Sequence, residues 1–212
     1  MLRSAVQRWL LGPVAKPLLF LLGLMPAMWL IYGAASDLLG ANPAEALVRA
    51  TGSWTLRALC LVLLVTPLRI TAGLPALARL RRMLGLFVFF YALLHFLAYG
   101  WLDMGLDLAD ITQDIFKRPF ILVGFLGFAL LIPLALTSWN GAIRALGARR
   151  WKQLHRLAYL IAVIAILHFF WMRSGKRNYA EVAVYAAILS ALLGWRVWRR
   201  FSGPGTPVQT NR

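Results

Sequence analysis

The chain has 212 residues, 61% of them hydrophobic and 14% charged, with a formal net charge of +16. A mean hydropathy of +0.71 is too high for a soluble domain of this length. It argues against a soluble enzyme and predicts an all-α integral membrane protein, because an open sheet cannot satisfy its edges in lipid.

Residues 1–16 read as a basic, amphipathic lead-in lying at the inner membrane surface. The first apolar run is Pro17–Ala35. Pro17 suits a first helical turn, and Pro26 predicts a kink in mid-helix. Basic residues before this run, and the small residues 33–36 after it, resemble a signal peptide with a cleavage site. The run is long for such a peptide, so an uncleaved first helix is the preferred reading. A loop over 36–51 precedes a second run, Gly52–Pro67, which contains the single cysteine, Cys60. One cysteine cannot form a disulfide framework within one chain. The third run is Met83–Leu102. The segment 103–119 after it carries Asp103, Asp107, Asp110 and Asp114, two pairs at i,i+4 spacing. Such spacing suits either a metal site or the solvated face of a short helix, and the second is preferred. Runs four to six are Phe120–Thr137, His155–Trp171 and Tyr179–Val197. Each run has roughly the ~20 residues that cross a ~30 Å hydrocarbon layer as helix. The division is therefore a lead-in (1–16), a six-helix transmembrane domain (17–198) and a Pro- and Gly-containing tail (199–212) expected to be disordered.

Charge sets the orientation. With an even number of crossings and both termini in the cytoplasm, 16 of the 23 Lys and Arg fall in cytoplasmic segments, which is the positive-inside bias. All seven acids fall on the other side. The basic face then points to anionic lipid or a phosphate-bearing partner and not to nucleic acid.

Three histidines remain, His95, His155 and His168. A ligand-competent side chain within a span is costly and marks function. His95 lies twelve residues past Met83, ~18 Å of helix rise, and His168 thirteen past His155, ~19.5 Å. The two are nearly level, which suits the two axial positions of a haem iron clamped between the third and fifth helices. Gly85, Gly100, Gly124 and Gly127 would let helices part around a porphyrin, and Tyr91, Phe96, Tyr99, Phe169 and Trp171 would pack on it. His155 lies near the inner surface, about 140° around the helix from His168. With Arg81, fourteen residues before His95 and on nearly the same face, it forms a candidate inner site for a phosphate-bearing cofactor or for a second haem with an unusual ligand, or a pair of interfacial residues meeting lipid headgroups. A transporter or proton path also uses intramembrane histidine, but would recruit acids deep in the membrane, and the one acid inside a predicted run, Glu181, stands at its outer edge.

Several stretches carry a resemblance. They are Thr51-Gly52-Ser53-Trp54, Thr66-Pro67-Leu68-Arg69, Arg81-Arg82-Met83-Leu84-Gly85-Leu86, Tyr91-Ala92-Leu93-Leu94-His95, Lys117-Arg118-Pro119-Phe120-Ile121, Pro133-Leu134-Ala135-Leu136-Thr137-Ser138, Trp151-Lys152-Gln153-Leu154-His155-Arg156-Leu157 and His168-Phe169-Phe170-Trp171. Together they resemble the haem-binding membrane subunits of the periplasmic protein-methionine-sulfoxide reductase systems. That family lies within the ferric-reductase-like transmembrane superfamily, with NADPH oxidases and metalloreductases. The resemblance implies a six-helix bundle in the bacterial inner membrane, with haem b and bound FMN. Electrons would come from the quinone pool or a cytosolic flavin reductase. They would pass to a periplasmic molybdopterin-containing methionine sulfoxide reductase that repairs oxidised proteins. The substrate-reducing site would then lie on the partner, with no catalytic residue here. Two-haem relatives carry two histidines on each of the third and fifth helices. This chain has Arg81 or Arg82 where the third would hold its inner histidine. Further readings are a stand-alone metalloreductase or a quinol-linked cytochrome b.

Overall fold

A computed structural model describes residues 2–175 and 178–202. Its described elements are helical: α1 (Leu2–Leu11), α2 (Ala15–Ala35), α3 (Pro43–Thr71), α4 (Arg81–Ala98), α5 (Leu108–Lys117), α6 (Pro119–Leu136), α7 (Asn140–Leu154), α8 (Leu157–Ser174) and α9 (Ala180–Phe201). A 3₁₀ turn at Pro75–Leu80 leads into α4, and a π turn at Tyr99–Asp103 follows it. Six of these segments are long and apolar enough to cross a membrane: α2, α3, Pro75–Asp103, α6, α8 and α9.

The spans run past the apolar runs because local chemistry extends them. α3 starts at Pro43 and not near Gly52, since Asn42 caps it. Asn42 Oδ1 accepts from the Glu45 N–H at 3.1 Å, and Glu45 Oε2 lies 3.4 Å from Asn42 Nδ2. This is an N-cap with proline at the first helical position. Near its other end α3 contains Pro67, which cannot donate to the Leu63 carbonyl. Arg196 of α9 donates to that carbonyl instead. His155 does not open the fifth span. It sits in the junction between α7 and α8. The segment before it forms α7, which turns at Gly147, where φ is 74°. At the chain's end Arg199 and Arg200 are helical. The rest of the expected disordered tail, 203–212, lies outside the described residues, as do Lys176 and Arg177.

The core is centred on α3 and α4, with Leu59, Val88 and Tyr91 the largest of its fully buried side chains. Tyr91 also reaches α2, where its hydroxyl donates to the Gly23 carbonyl at 2.6 Å. A Cβ on Gly23 would lie 2.5 Å from the Phe87 ring, so glycine permits the close approach of α2 to α4. The alternating helices give the bundle two chemically distinct ends. One carries residues 36–45, 99–119, 173–175 and 178–181 and holds all seven acids; the other carries the arginine-rich segments 69–82, 144–156 and 196–200. These are the acidic and basic ends below.

Candidate functional site

His95 on α4 and His168 on α8 face each other. Their ring centres are 6.2 Å apart with planes at 76°. Both line a cavity of about 650 Å³ enclosed by α3, α4, α6 and α8 and opening toward the acidic end.

The two imidazoles are seated by the same device. His95 Nδ1 lies 2.8 Å from the Val48 carbonyl of α3, and His168 Nδ1 lies 2.6 Å from the Phe120 carbonyl of α6. A carbonyl only accepts, so each Nδ1 carries the proton. Four residues after each carbonyl, one turn along, stands a glycine: Gly52 after Val48 and Gly124 after Phe120. A Cβ on Gly52 would sit 3.1 Å from the His95 ring, and one on Gly124 only 2.7 Å from the His168 ring. The missing side chains let each ring lie against the neighbouring helix. Thr51, beside Gly52, donates to its own helix at Leu47 and Val48, and its hydroxyl lies 3.5 Å from His95 Nδ1. With Nδ1 committed, Nε2 is the nitrogen each ring offers to a metal.

The walls are apolar and include Leu59, Phe96, Phe128, Ile161 and Phe169; the mouth is charged, with Glu45, Arg49, Asp103, Arg118 and Arg173. Asp114 accepts from Arg118 through both carboxylate oxygens and from the Tyr99 hydroxyl at 2.6 Å. Burial alone would raise the Asp114 carboxyl, but the Arg118 and Tyr99 hydrogen bonds outweigh it and hold it below the ordinary carboxylate range. Asp114 is thus structural. Asp107 caps α5 by accepting from the Ala109 and Asp110 N–H groups. No group of three metal-competent side chains occurs among the described residues.

Other expected residues fall elsewhere. Tyr91 and Trp171 do not line the cavity. Gly85 faces open space and Gly100 approaches Ile111, so neither serves the histidines. Arg81 and His155 both lie at the basic end but have different partners. Arg81 donates to Thr66 Oγ1 at 3.1 Å. His155 Nε2 lies 3.1 Å from Thr137 Oγ1, and its ring stacks on Trp151 with centres 4.0 Å apart. Burial, and then the Arg82 cation, lower the His155 pKa. Sequence reading missed the anchoring carbonyls and the cationic mouth. The first have no side-chain signature. The second could have been found by asking which cations flank the spans at the depth of the histidines.

Residues 51–166 match the family described as ferric reductase like transmembrane component. The chain is 63% identical over 205 residues to a protein of Polaromonas naphthalenivorans, covering 97% of this chain and 94% of that one. It is 54% identical over 179 residues to one of Ralstonia nicotianae, covering 84% and 82%. A third relative, from Xanthomonas campestris pv. campestris, is 46% identical over 207 residues, covering 98% and 90%. Each bears the name protein-methionine-sulfoxide reductase heme-binding subunit MsrQ. No solved structure matches the chain. With this coverage, across all of the cavity's helices, the chain belongs to the ferric reductase like transmembrane component family, in the MsrQ branch that these relatives share.

Proposed function

We propose that this chain is a haem b-carrying electron-transfer subunit of a methionine sulfoxide reductase system, with His95 and His168 as the axial ligands. The observation that carries the reading is the opposed pair of imidazoles with both Nδ1 atoms tied back. A metal bonded to two imidazoles at ~2 Å each, with each ring centre about 1.1 Å further back, needs centres roughly 6 Å apart. The observed 6.2 Å fits. The cavity's volume lies in the ~300–1,000 Å³ range of cofactor pockets, and its apolar walls with a charged mouth suit a flat apolar ring with an anionic edge. The haem would supply a one-electron couple. His95 and His168 would fill both axial positions, which favours electron transfer over chemistry at an open site. The carbonyls of Val48 and Phe120 would hold each ring in the tautomer that ligates through Nε2.

The names of the relatives support the rest of the reading. The chain would sit in the bacterial inner membrane with both termini cytoplasmic. It would take electrons from the quinone pool or a cytosolic flavin reductase and deliver them to a periplasmic molybdopterin-containing methionine sulfoxide reductase. FMN would be a second cofactor. For its phosphate, Arg81 and His155 are the proposed inner site, at an end of the bundle whose segments carry arginines and no acid. An absorption spectrum tests the central claim. His95→Ala and His168→Ala should each abolish the six-coordinate haem spectrum of the purified protein. Retention of that spectrum in both variants would refute the pairing.

A further inference from the structure

The mouth of the cavity contains a cation whose surroundings suit a ligand better than a surface ion pair. Arg173, at the end of α8, has a side chain only 14% exposed, whereas its partner Glu181 is 60% exposed. The guanidinium is inside and the carboxylate outside. Arg173 Nη2 donates to Glu181, but its Nε is buried with no partner. Leaving a buried donor unsatisfied costs about 1–3 kcal/mol, more for a charged group. The side chain lies over Phe169 with its Cζ 5.4 Å from the ring centre, and it lines the cavity.

Arg118 lines the same mouth. Asp114 holds it through two N–H groups, and Tyr99 holds Asp114 in turn. This chain of contacts fixes the guanidinium in place. Each cation stands close in sequence to His168 or to its anchor. Arg173 follows His168 by five residues on α8, and Arg118 precedes by two residues the Phe120 whose carbonyl takes His168 Nδ1. Glu45 and Asp103 share the rim, and Glu45 pairs with Arg49.

We propose that Arg173 and Arg118 bind the two propionate carboxylates of the haem held between His95 and His168, so that its carboxylate edge faces the acidic end of the bundle. The inference rests on the haem reading above. The guanidinium fork suits it, because its N–H groups are arranged to grip a carboxylate two at a time. Arg173 still has its Nε–H to give.

The test is reconstitution of protein made in haem-deficient cells, with haem b and with its dimethyl ester as probes. The ester keeps the iron and ring but removes both negative charges. Wild-type protein should bind the diacid more tightly by roughly a hundredfold, the worth of two charge-assisted hydrogen bonds. Arg173→Gln and Arg118→Gln should each reduce that preference by roughly tenfold while keeping a six-coordinate spectrum. Arg173→Lys, which keeps a charge but loses the fork, should fall between and carries the test if Arg173→Gln does not fold. Glu181→Gln should retain the preference. An unchanged preference for the diacid in Arg173→Gln, or in Arg173→Lys in its place, and in Arg118→Gln would overturn the proposal. A wild type that does not distinguish the two probes would also overturn it. Failure of the haem reading looks different: His95→Ala and His168→Ala would keep the six-coordinate spectrum whatever the arginine variants do.

Discussion

At the scale of single residues, the site depends on what is missing next to each histidine as much as on the histidines. Gly52 and Gly124 each stand one turn beyond the carbonyl that holds an imidazole, and their clearances differ. A methyl at Gly52 would meet the His95 ring at 3.1 Å, where a small shift accommodates it; at Gly124 it would meet His168 at 2.7 Å, where something must move. His168 cannot retreat without stretching its 2.6 Å contact to Phe120. Overpacking of this kind costs about 1–3 kcal/mol. Gly124→Ala should therefore lower haem retention by roughly tenfold, and Gly52→Ala only by a factor of about two. The haem-to-protein ratio after purification measures both, and equal ratios in the two variants would refute the clearance argument. The histidine pair was legible in the sequence because a polar ligand in an apolar run stands out and helix rise converts residue number into depth. The carbonyls were not legible, since every residue has one. Glycines signal close approach without saying to what. Gly85 and Gly100, counted with Gly124 and Gly127, turn out to face away from the rings.

Among the elements, a proline near the end of a span has been matched by a partner helix. Pro67 leaves the Leu63 carbonyl without its N–H donor inside the bundle, and Arg196 of α9 donates to it across the α3–α9 contact. Arg196 also donates to Leu192 on its own helix at 2.6 Å, and its Cζ lies 5.6 Å from the Tyr159 ring centre. One side chain thereby ties α9 to α3 and α8. Arg196→Met should destabilise the protein by about 1–3 kcal/mol, the cost of a buried carbonyl left unpaired. In a Pro67→Ala background the alanine N–H can return to Leu63, so the same change should cost about 1 kcal/mol less. Thermal unfolding of the four proteins in detergent closes the cycle; additivity within about 0.5 kcal/mol would mean that the two residues do not share the carbonyl. The spans themselves were readable from apolar run length alone. Their ends were not, because caps and turns set them. Asn42 starts α3 well before the apolar stretch, and His155 falls in a junction because α7 forms from a segment with too little hydrophobic periodicity to announce a helix.

Taken as one body, the molecule is polarised in charge and in the position of its cavity. The acids gather at one end and most of the basic residues at the other, and the cavity opens at the acidic end. This asymmetry was legible in the sequence, because helices that alternate in direction deliver each connecting segment to a known end. The shape of the cavity was not, since it depends on four helices meeting at particular faces. Lys and Arg retained on the cytoplasmic side set the orientation of a bundle with short loops. The basic end holds residues 2–16, the 3₁₀ turn with the start of α4, α7 and the end of α9. It should face the cytoplasm, with the cavity mouth on the far side. A reporter that works only in the cytoplasm should then be active when fused after residue 202 and silent when inserted between α5 and α6. A reporter that works only outside should give the reverse. Six crossings place the two termini together, so a C-terminal fusion active only outside would refute either the span count or the orientation. Since the elements α2, α3, α6, α8 and α9 and the Pro75–Asp103 segment are each long and apolar enough to cross, the orientation would be the part to give way. Swapping the Arg81–Arg82 pair for acids, together with moving basic residues into the 103–119 segment, would then show whether charge sets the orientation.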